Sequence, residues 1–294
     1  MAARTARRKF AVAEFDVTIG FIGAGNMGEA FIDAVIQSGL LPAAKISVAD
    51  VDPGRLDYLN EKYGVTVLRD NGKLFQSCRM VVLAVKPQQM PAVLKDVSGR
   101  RGYRLSERKL VISIAAGFAI RKMEEILYPP LDAESVRNLP IIRVMPNTPA
   151  LVLSAVSGMS PNRFVTEEDA RVARTLLQAV GEVIEFEEEA LDAVTALSGS
   201  GPAYVFYLVE SMTEAGIQMG LEPATAASLA AATLRGAAKL LEASGEPPEE
   251  LRRKVTSPGG TTAAAIDVFE KRGFKSIIIA AIASATRRAQ ELSG

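Results

Sequence analysis

Short apolar runs recur through the first two-thirds of the chain, and many contain the β-branched residues that favour strands. The runs predicted to form buried strands are residues 17–23, 45–50, 65–68, 80–85, 110–114, 141–145 and 182–186. Between the first two runs, Phe31 with Val35 and Ile32 with Ile36 follow the i,i+4 spacing of a helix. Strands that alternate with helices predict an α/β fold with a parallel sheet.

The pattern changes near residue 188. No later run has strand character, and helices are predicted over residues 203–220, 223–243, 249–255, 262–271 and 275–292. The acidic run at 185–189 marks the predicted boundary. We therefore predict a basic tail at 1–15, expected to be disordered, an α/β domain at 16–187 and an all-helical domain at 188–294.

The composition narrows the possible chemistry. The 294 residues contain no His and a single Cys, Cys78. These counts exclude a His-based catalytic triad and the usual zinc sites, and we predict no metal. The lone cysteine favours a reducing, cytoplasmic compartment.

The charges balance, with 34 Lys and Arg against 34 Asp and Glu. No global basic field is expected to attract nucleic acid. No apolar run has the length and character of a membrane span, so we predict no membrane association.

A glycine-rich motif follows the first predicted strand and opens the first predicted helix. It consists of Gly23, Ala24, Gly25, Asn26, Met27 and Gly28. In the GxGxxG fingerprint the first glycine permits a tight turn, the second admits a pyrophosphate, and the third lets helix and strand pack closely. The helix N-terminus adds free N–H groups and a positive dipole end. We interpret the motif as a dinucleotide site; a glycine-rich turn without a ligand is the alternative.

Two carboxylates follow the second predicted strand. Asp50 lies 22 residues after Gly28, with Asp52 close by, and Arg55 is the nearest arginine. A carboxylate accepts hydrogen bonds from the adenosine ribose and repels a 2′-phosphate, so Asp50 and Asp52 favour NADH over NADPH. The alternative for Asp52 is that it only caps the helix that Pro53 opens.

Three further segments follow later strands: Ala84 to Pro87, Ala115 to Gly117, and Met145 to Pro149. Ligands of open parallel sheets bind beyond the carboxyl ends of the strands, so all three are expected at one edge. Lys86 is either a contact for the cofactor or for a substrate carboxylate, or a surface lysine beside a proline.

Two segments of the helical domain combine glycine with hydroxyl residues. They are SGSGP at 198–202 and SPGGTT at 257–262, and each precedes a predicted helix. Both suit a small anion at a helix N-terminus, and ordinary capping by Ser or Thr is the alternative. After the first segment, Tyr204, Tyr207 and Met212 have the spacing of a buried core stripe.

These segments together resemble the pyrroline-5-carboxylate reductase family. The matching stretches are IGFIGAGNMG at 19–28, LAVKPQ at 83–88, AAG at 115–117, MPNTP at 145–149, LSGSGPAY at 197–204 and VTSPGGTT at 255–262. They occur in order across nearly the whole chain. SGSGPAY and SPGGTT are far more specific to the family than the glycine motif.

The resemblance implies NAD(P)H-dependent reduction of 1-pyrroline-5-carboxylate to L-proline, the last step of proline biosynthesis. It also implies an N-terminal Rossmann domain and a C-terminal dimerisation domain, in homodimers that often associate into decamers. By position, Gly260 and Thr261 would offer N–H groups to the substrate carboxylate, Ser257 its hydroxyl, and Thr262, the catalytic candidate, would bond the ring nitrogen. The implied cofactor contacts are Asn71, Ala84, Val85, Lys86, Pro87, Ala115, Ala116, Gly117 and Glu188.

The chain departs from the family pattern at three places. Asp50, Val51 and Asp52 stand where the family often has Asn-Arg-Ser, which suits a 2′-phosphate, so NADH is again favoured. Leu153, Ser154 and Ala155 replace a glycine-containing segment, and Lys254 replaces a frequent amide residue.

Two other classes compete with this interpretation. Another imine or hydroxyacid reductase would share the architecture, but a hydroxyacid dehydrogenase needs a catalytic lysine that residues 187–211 lack. A non-catalytic dinucleotide-binding protein would have no reason to keep SPGGTT.

Overall fold

A computed structural model describes residues 17–294. The basic tail predicted at 1–15 lies outside these residues. The contacts divide the chain into two compact units: Ser200–Ala285, and the remainder, which includes Thr286–Gly294. By this division the predicted boundary at 187/188 falls inside the first unit, and the helical unit begins at Ser200. The predicted domain limits stay a prediction.

The first unit contains an eight-stranded sheet in the order β3-β2-β1-β4-β5-β6-β7-β8. The strands are β1 (Ile19–Ile22), β2 (Ile46–Ala49), β3 (Thr66–Leu68), β4 (Met80–Leu83), β5 (Leu110–Ser113), β6 (Ile141–Met145), β7 (Ala155–Pro161) and β8 (Gly181–Glu185). Its helices are α1 (Asn26–Gln37), α2 (Pro53–Tyr63), α3 (Asn71–Ser77), α4 (Met90–Ser98), α5 (Ile120–Leu127), α6 (Ala133–Arg137), α7 (Glu167–Gln178) and α8 (Leu191–Val194). All seven predicted strands are present.

One strand was not predicted, and it breaks the parallel pattern. β7 pairs with β6 in antiparallel register, with Met145 opposite Gly158. The link between them is a single 3₁₀ turn, Thr148–Val152, followed by Leu153 at a φ of 57°. Parallel neighbours need a long crossover, whereas a short link returns the chain antiparallel.

The sheet is covered on both faces. Phe21, Val82 and Ile112 belong to one buried apolar cluster. Their chain neighbours Ile22, Leu83 and Val111 belong to a second. Successive side chains of a strand point to opposite faces, so continuous apolar runs are what a doubly covered sheet requires.

The second unit is helical, as predicted. Its helices are α9 (Gly201–Gln218), α10 (Pro223–Ser244), α11 (Pro248–Lys254), α12 (Thr261–Lys271) and the first part of α13 (Phe274–Ser293), which continues into the first unit. None of the described helices combines the length and apolar character that crossing a membrane demands.

The predicted core stripe on α9 is wrong for the single chain. No residue of α9 is buried, and the side chain of Tyr207 is 72% exposed. Phe206, Met219, Ile277 and Ile279 are also more than half exposed. The helical spacing identified these apolar positions. It could not show that they remain exposed to solvent in a single chain. Several large apolar side chains exposed on one helix are typical of an interaction site.

Candidate active site

The three fingerprint glycines meet different constraints. Gly23 has a φ of 103°, and a Cβ there would lie 2.6 Å from the Ala84 carbonyl. A Cβ on Gly28 would lie 2.6 Å from the Gly23 oxygen. A Cβ on Gly25 would meet none of the described atoms within 4 Å. Packing within the chain therefore explains Gly23 and Gly28, and the space above Gly25 is open for a ligand.

Helix α1 begins directly at this turn. Its N-cap residue is Gly25, which has no side chain to cap the helix. Both Gly25 and Asn26 are exposed. The first N–H groups of a helix have no partner inside it, and they favour an anion. The turn and the helix end thus fit the pyrophosphate of NAD(P)H.

Asp50 lies against the glycine turn. Its Oδ2 accepts the Ala24 N–H at 2.6 Å, and its Oδ1 accepts the Asp52 N–H at 3.0 Å. Asp52 is the N-cap of α2, and its Oδ1 accepts the Gly54 N–H at 2.9 Å. Asp52 is therefore a capping residue, whereas Asp50 places a carboxylate beside the fingerprint.

Arg55, for which the sequence predicts no role, also reaches this turn. Its Nε donates to the Ala24 carbonyl at 2.5 Å, and its guanidinium pairs with Glu29. Lys62 pairs with Glu29 at 2.8 Å. Burial raises the pKa of Glu29, but hydrogen bonds from Lys62 and Arg55 outweigh it and lower the pKa to about 2. An ionised Glu29 therefore holds Arg55 in place; the two meet from different helices, so no local pattern predicts the pair.

The segments after β4 and β5 lie side by side. Leu83 is opposite Ser113 in parallel register, so residues 84–87 and 115–117 leave the sheet at the same edge. Lys86 is exposed there. Gly117 has a φ of 68°, and a Cβ on it would lie 3.0 Å from Cβ of Leu292. Asn71 begins α3, and its amide donates to Asp96 at 3.4 Å.

Glu188 belongs to a partly buried ion network. Its Oε1 accepts the Ile120 N–H at 2.7 Å and pairs with Arg143 at 3.0 Å. The Arg143 side chain is 5% exposed and lies 3.5 Å from Asp192. Ser293 donates to Asp192 at 2.7 Å. Arg143 was missed, although an arginine inside an apolar strand signals a buried carboxylate partner.

The SPGGTT segment forms the start of α12. Gly260 is the N-cap, without a side-chain cap, and Gly259 has a φ of 73°. A Cβ on Gly260 would lie 3.2 Å from both oxygens of Ser257. Ser257 is exposed and Thr262 is partly buried. The Gly260 N–H donates to the Ser257 carbonyl at 3.1 Å. A helix N-terminus without a side-chain cap, with hydroxyl residues in its first turn, suits a carboxylate.

The SGSGP segment at 198–202 is held by hydrogen bonds within the chain. Ser198 follows α8 in a π-helical turn, Thr195–Gly199. The Asn147 amide donates to the Ser198 carbonyl at 3.1 Å, and its oxygen accepts the Val156 N–H at 3.0 Å. Asn147 of MPNTP thus joins this turn to the start of β7.

Comparison with known proteins decides the family. Residues 188–292 match the family described as pyrroline-5-carboxylate reductase dimerisation, and residues 18–117 match the family described as NADP oxidoreductase coenzyme F420-dependent. The chain is 40% identical to the pyrroline-5-carboxylate reductase of Pisum sativum, over 94% of this chain and 96% of that protein. The chain belongs to the pyrroline-5-carboxylate reductase family.

Solved structures agree with this assignment. A pyrroline-5-carboxylate reductase from Coxiella burnetii has a TM-score of 0.84 at 36% identity, covering 95% of this chain and 99% of that one. The Plasmodium falciparum pyrroline carboxylate reductase, solved with NADP bound, has a TM-score of 0.83 at 28% identity, covering 95% of this chain and 99% of that one. The predicted family, reductase class and α/β fold with a helical C-terminal dimerisation domain are confirmed.

Proposed function

We propose that residues 257–262 bind the carboxylate of 1-pyrroline-5-carboxylate, which this chain, as a member of the family, reduces to L-proline in proline biosynthesis. The observation that carries this proposal is the N-terminus of α12, which has no side-chain cap and whose first turn is lined by glycine and hydroxyl residues. Thr261 supplies an N–H group and Ser257 a hydroxyl, and the Gly260 N–H, which here donates to the Ser257 carbonyl at 3.1 Å, turns to the substrate when it binds. The helix dipole also favours an anion there.

Bound NAD(P)H supplies a hydride to the imine carbon of the substrate. The protonated imine is already an electrophile, so a chain without histidine needs no strong acid for this step. The residues instead fix the carboxylate, and the Thr262 hydroxyl orients the ring nitrogen and accepts a hydrogen bond from its proton. Positioning of this kind is a large part of catalysis in hydride transfer.

Replacing Thr262 tests the substrate site. Thr262→Ala removes the hydroxyl that orients the nitrogen, and we expect kcat/KM for 1-pyrroline-5-carboxylate to fall about 10- to 100-fold. The matched control is Thr175→Ala, a threonine of α7 that is partly buried, as Thr262 is, and it should leave kcat/KM unchanged. Unchanged kinetics in Thr262→Ala would remove Thr262 from the mechanism.

We further propose a preference for NADH. The Asp50 carboxylate beside the fingerprint disfavours a 2′-phosphate, and the charge of Arg55 is already paired with Glu29. The values of kcat/KM for NADH and NADPH measure this directly. Asp50→Asn should shift the ratio towards NADPH by about tenfold. A wild-type preference for NADPH would contradict the proposal.

We also propose that the chain forms a homodimer through residues 188–292 and that dimers can associate further, up to a decamer. The matched dimerisation family and the exposed apolar face of α9 support the dimer. The single, buried Cys78 suits a reducing cytoplasm, which cell fractionation would test.

A further inference from the structure

A cavity of about 510 Å³ lies at the edge of the sheet opposite the predicted cofactor contacts. Residues 75–79, which lead into β4, and residues 102–109, which lead into β5, line it. These strands are parallel, with Met80 opposite Leu110 at their amino ends. Residues 84–87 and 115–117 follow their carboxyl ends, so the cavity is separate from the fingerprint edge.

One of the lining residues is a buried lysine. Lys109 is only 7% exposed, and its Nζ donates to the Cys78 carbonyl and lies 5.1 Å from the centroid of the Phe75 ring. Burial lowers the pKa of Lys109 to about 8, against smaller opposing effects of Cys78 and Glu107. No carboxylate of the described residues forms a salt bridge with it, so its positive charge is poorly compensated.

Tyr103 lines the same cavity and carries a buried hydroxyl without a partner. Tyr103 is 8% exposed, and among the described residues its hydroxyl has no hydrogen-bond partner. Its ring lies 6.0 Å from that of Phe75. A buried hydroxyl without a partner destabilises the fold, so an acceptor that reached it from the cavity would relieve this cost.

The other charged residues of the lining favour an anion. Arg79 and Arg104 are exposed at the cavity, and Glu107 is its one acidic lining residue. Arg108 also lines it, but its guanidinium is bound to Asp169. Arg79 and Arg104 therefore remain as the exposed positive charges of the lining, in addition to the buried Lys109.

We propose that this cavity binds a small oxyanion, a carboxylate or a phosphate, between the Lys109 ammonium and the Tyr103 hydroxyl. Both groups donate hydrogen bonds, and the ammonium supplies the opposite charge. Arg79 and Arg104 add a positive field at the cavity. The volume lies within the range of small-molecule sites, so the anion can be part of a larger metabolite.

Calorimetric titration of the full-length protein tests the site. Saturating NADH and L-proline first fill the anion sites of the active centre, and inorganic phosphate and acetate are then titrated in separate experiments. We expect one ion per chain, with about tenfold weaker binding in Lys109→Met. The matched control is Lys95→Met, an exposed lysine of α4, which should bind as the wild type does. Tighter binding of phosphate than of acetate indicates a phosphate ligand, and the reverse indicates a carboxylate.

Tyr103→Phe keeps the ring and removes only the unpartnered hydroxyl. It should fold normally and bind the anion several-fold more weakly, so it carries the test if Lys109→Met does not fold. Binding of neither ion to the wild-type protein overturns the proposal. Equal affinity of the wild type and Tyr103→Phe, or of the wild type and folded Lys109→Met, overturns it as well.

Discussion

Gly25 and Gly28 lie three residues apart in one motif, but their surroundings differ. A side chain on Gly28 would collide with the Gly23 oxygen, whereas a side chain on Gly25 would enter open space. The sequence predicted both roles because the fingerprint ties each glycine to a definite close approach. One substitution at each glycine can therefore separate the effect on folding, expected at Gly28, from the effect on cofactor binding, expected at Gly25.

Gly28→Ala should lower the free energy of unfolding by about 1–3 kcal/mol, because helix α1 must move away from the turn. Gly25→Ala should change it by less than about 1 kcal/mol yet weaken NADH binding by about tenfold or more, because a methyl group occupies the approach of the pyrophosphate. Thermal unfolding and cofactor titration measure the two effects. Equal cofactor affinity in Gly25→Ala and wild type would show that no ligand approaches this glycine.

Residue pairs distant in sequence were the part that could not be predicted. Glu29 and Arg55 meet because α1 and α2 both start at the carboxyl edge of adjacent strands β1 and β2. Glutamate and arginine are both common on helix surfaces. Neither spacing nor composition distinguishes this pair from surface charges that do not meet. Lys109 was missed for another reason: a lysine just before an apolar strand looks solvent-exposed unless the loop that covers it is known.

At the scale of elements, the strands that are buried along their whole length were predictable from the sequence. β1, β4 and β5 are buried along their whole length, and a continuous apolar run is their direct signature. β7 contains Ser157, Gly158 and Ser160, and it lacks such a run. Its pairing with β6 and β8 stabilises it, and that information is not local.

The last turn of α13 belongs to the sheet-containing unit. Ser293 joins the network of Arg143, Asp192 and Glu188, and Leu292 lies against Gly117. Glu188 in turn accepts the N–H of Ile120, the first residue of α5. The end of the chain thus supports the segment that follows β5.

Arg143→Leu should lower the free energy of unfolding by about 3–5 kcal/mol, because it leaves two partly buried carboxylates without their cation. The matched control is Arg121→Leu, which breaks the exposed pair with Glu125 on α5 and should cost about 0.5 kcal/mol or less. Chemical denaturation of both variants measures the difference. Similar losses in the two would show that the buried network adds no more than a surface ion pair.

At the scale of the molecule, the helical unit is incomplete as a single chain. α9 buries none of its residues, although it carries Phe206, Tyr207 and Leu208. The sequence predicted the apolar face but assigned it to an internal core, because periodicity does not distinguish a core from an interface. The balanced net charge means that electrostatic attraction must come from local features such as the starts of α1 and α12.

Phe206→Glu should reduce the assembly to a monomer, because it places a charge in the apolar face proposed to pair with a second chain. Light scattering should give the mass of one chain for this variant and a multiple of it for the wild type. Ile184→Glu, on the exposed edge strand β8, is the control and should keep the wild-type mass. An unchanged assembly in Phe206→Glu would place the dimer interface elsewhere.

The oxidation of NADH and of NADPH by the purified full-length protein, with and without 1-pyrroline-5-carboxylate, tests the proposed reaction. We expect the reduced cofactor to be consumed only when the imine is present, L-proline to accumulate in equal amount, and NADH to be used more efficiently than NADPH. Consumption of neither cofactor, or consumption without L-proline, would show that the chain does not catalyse this reduction.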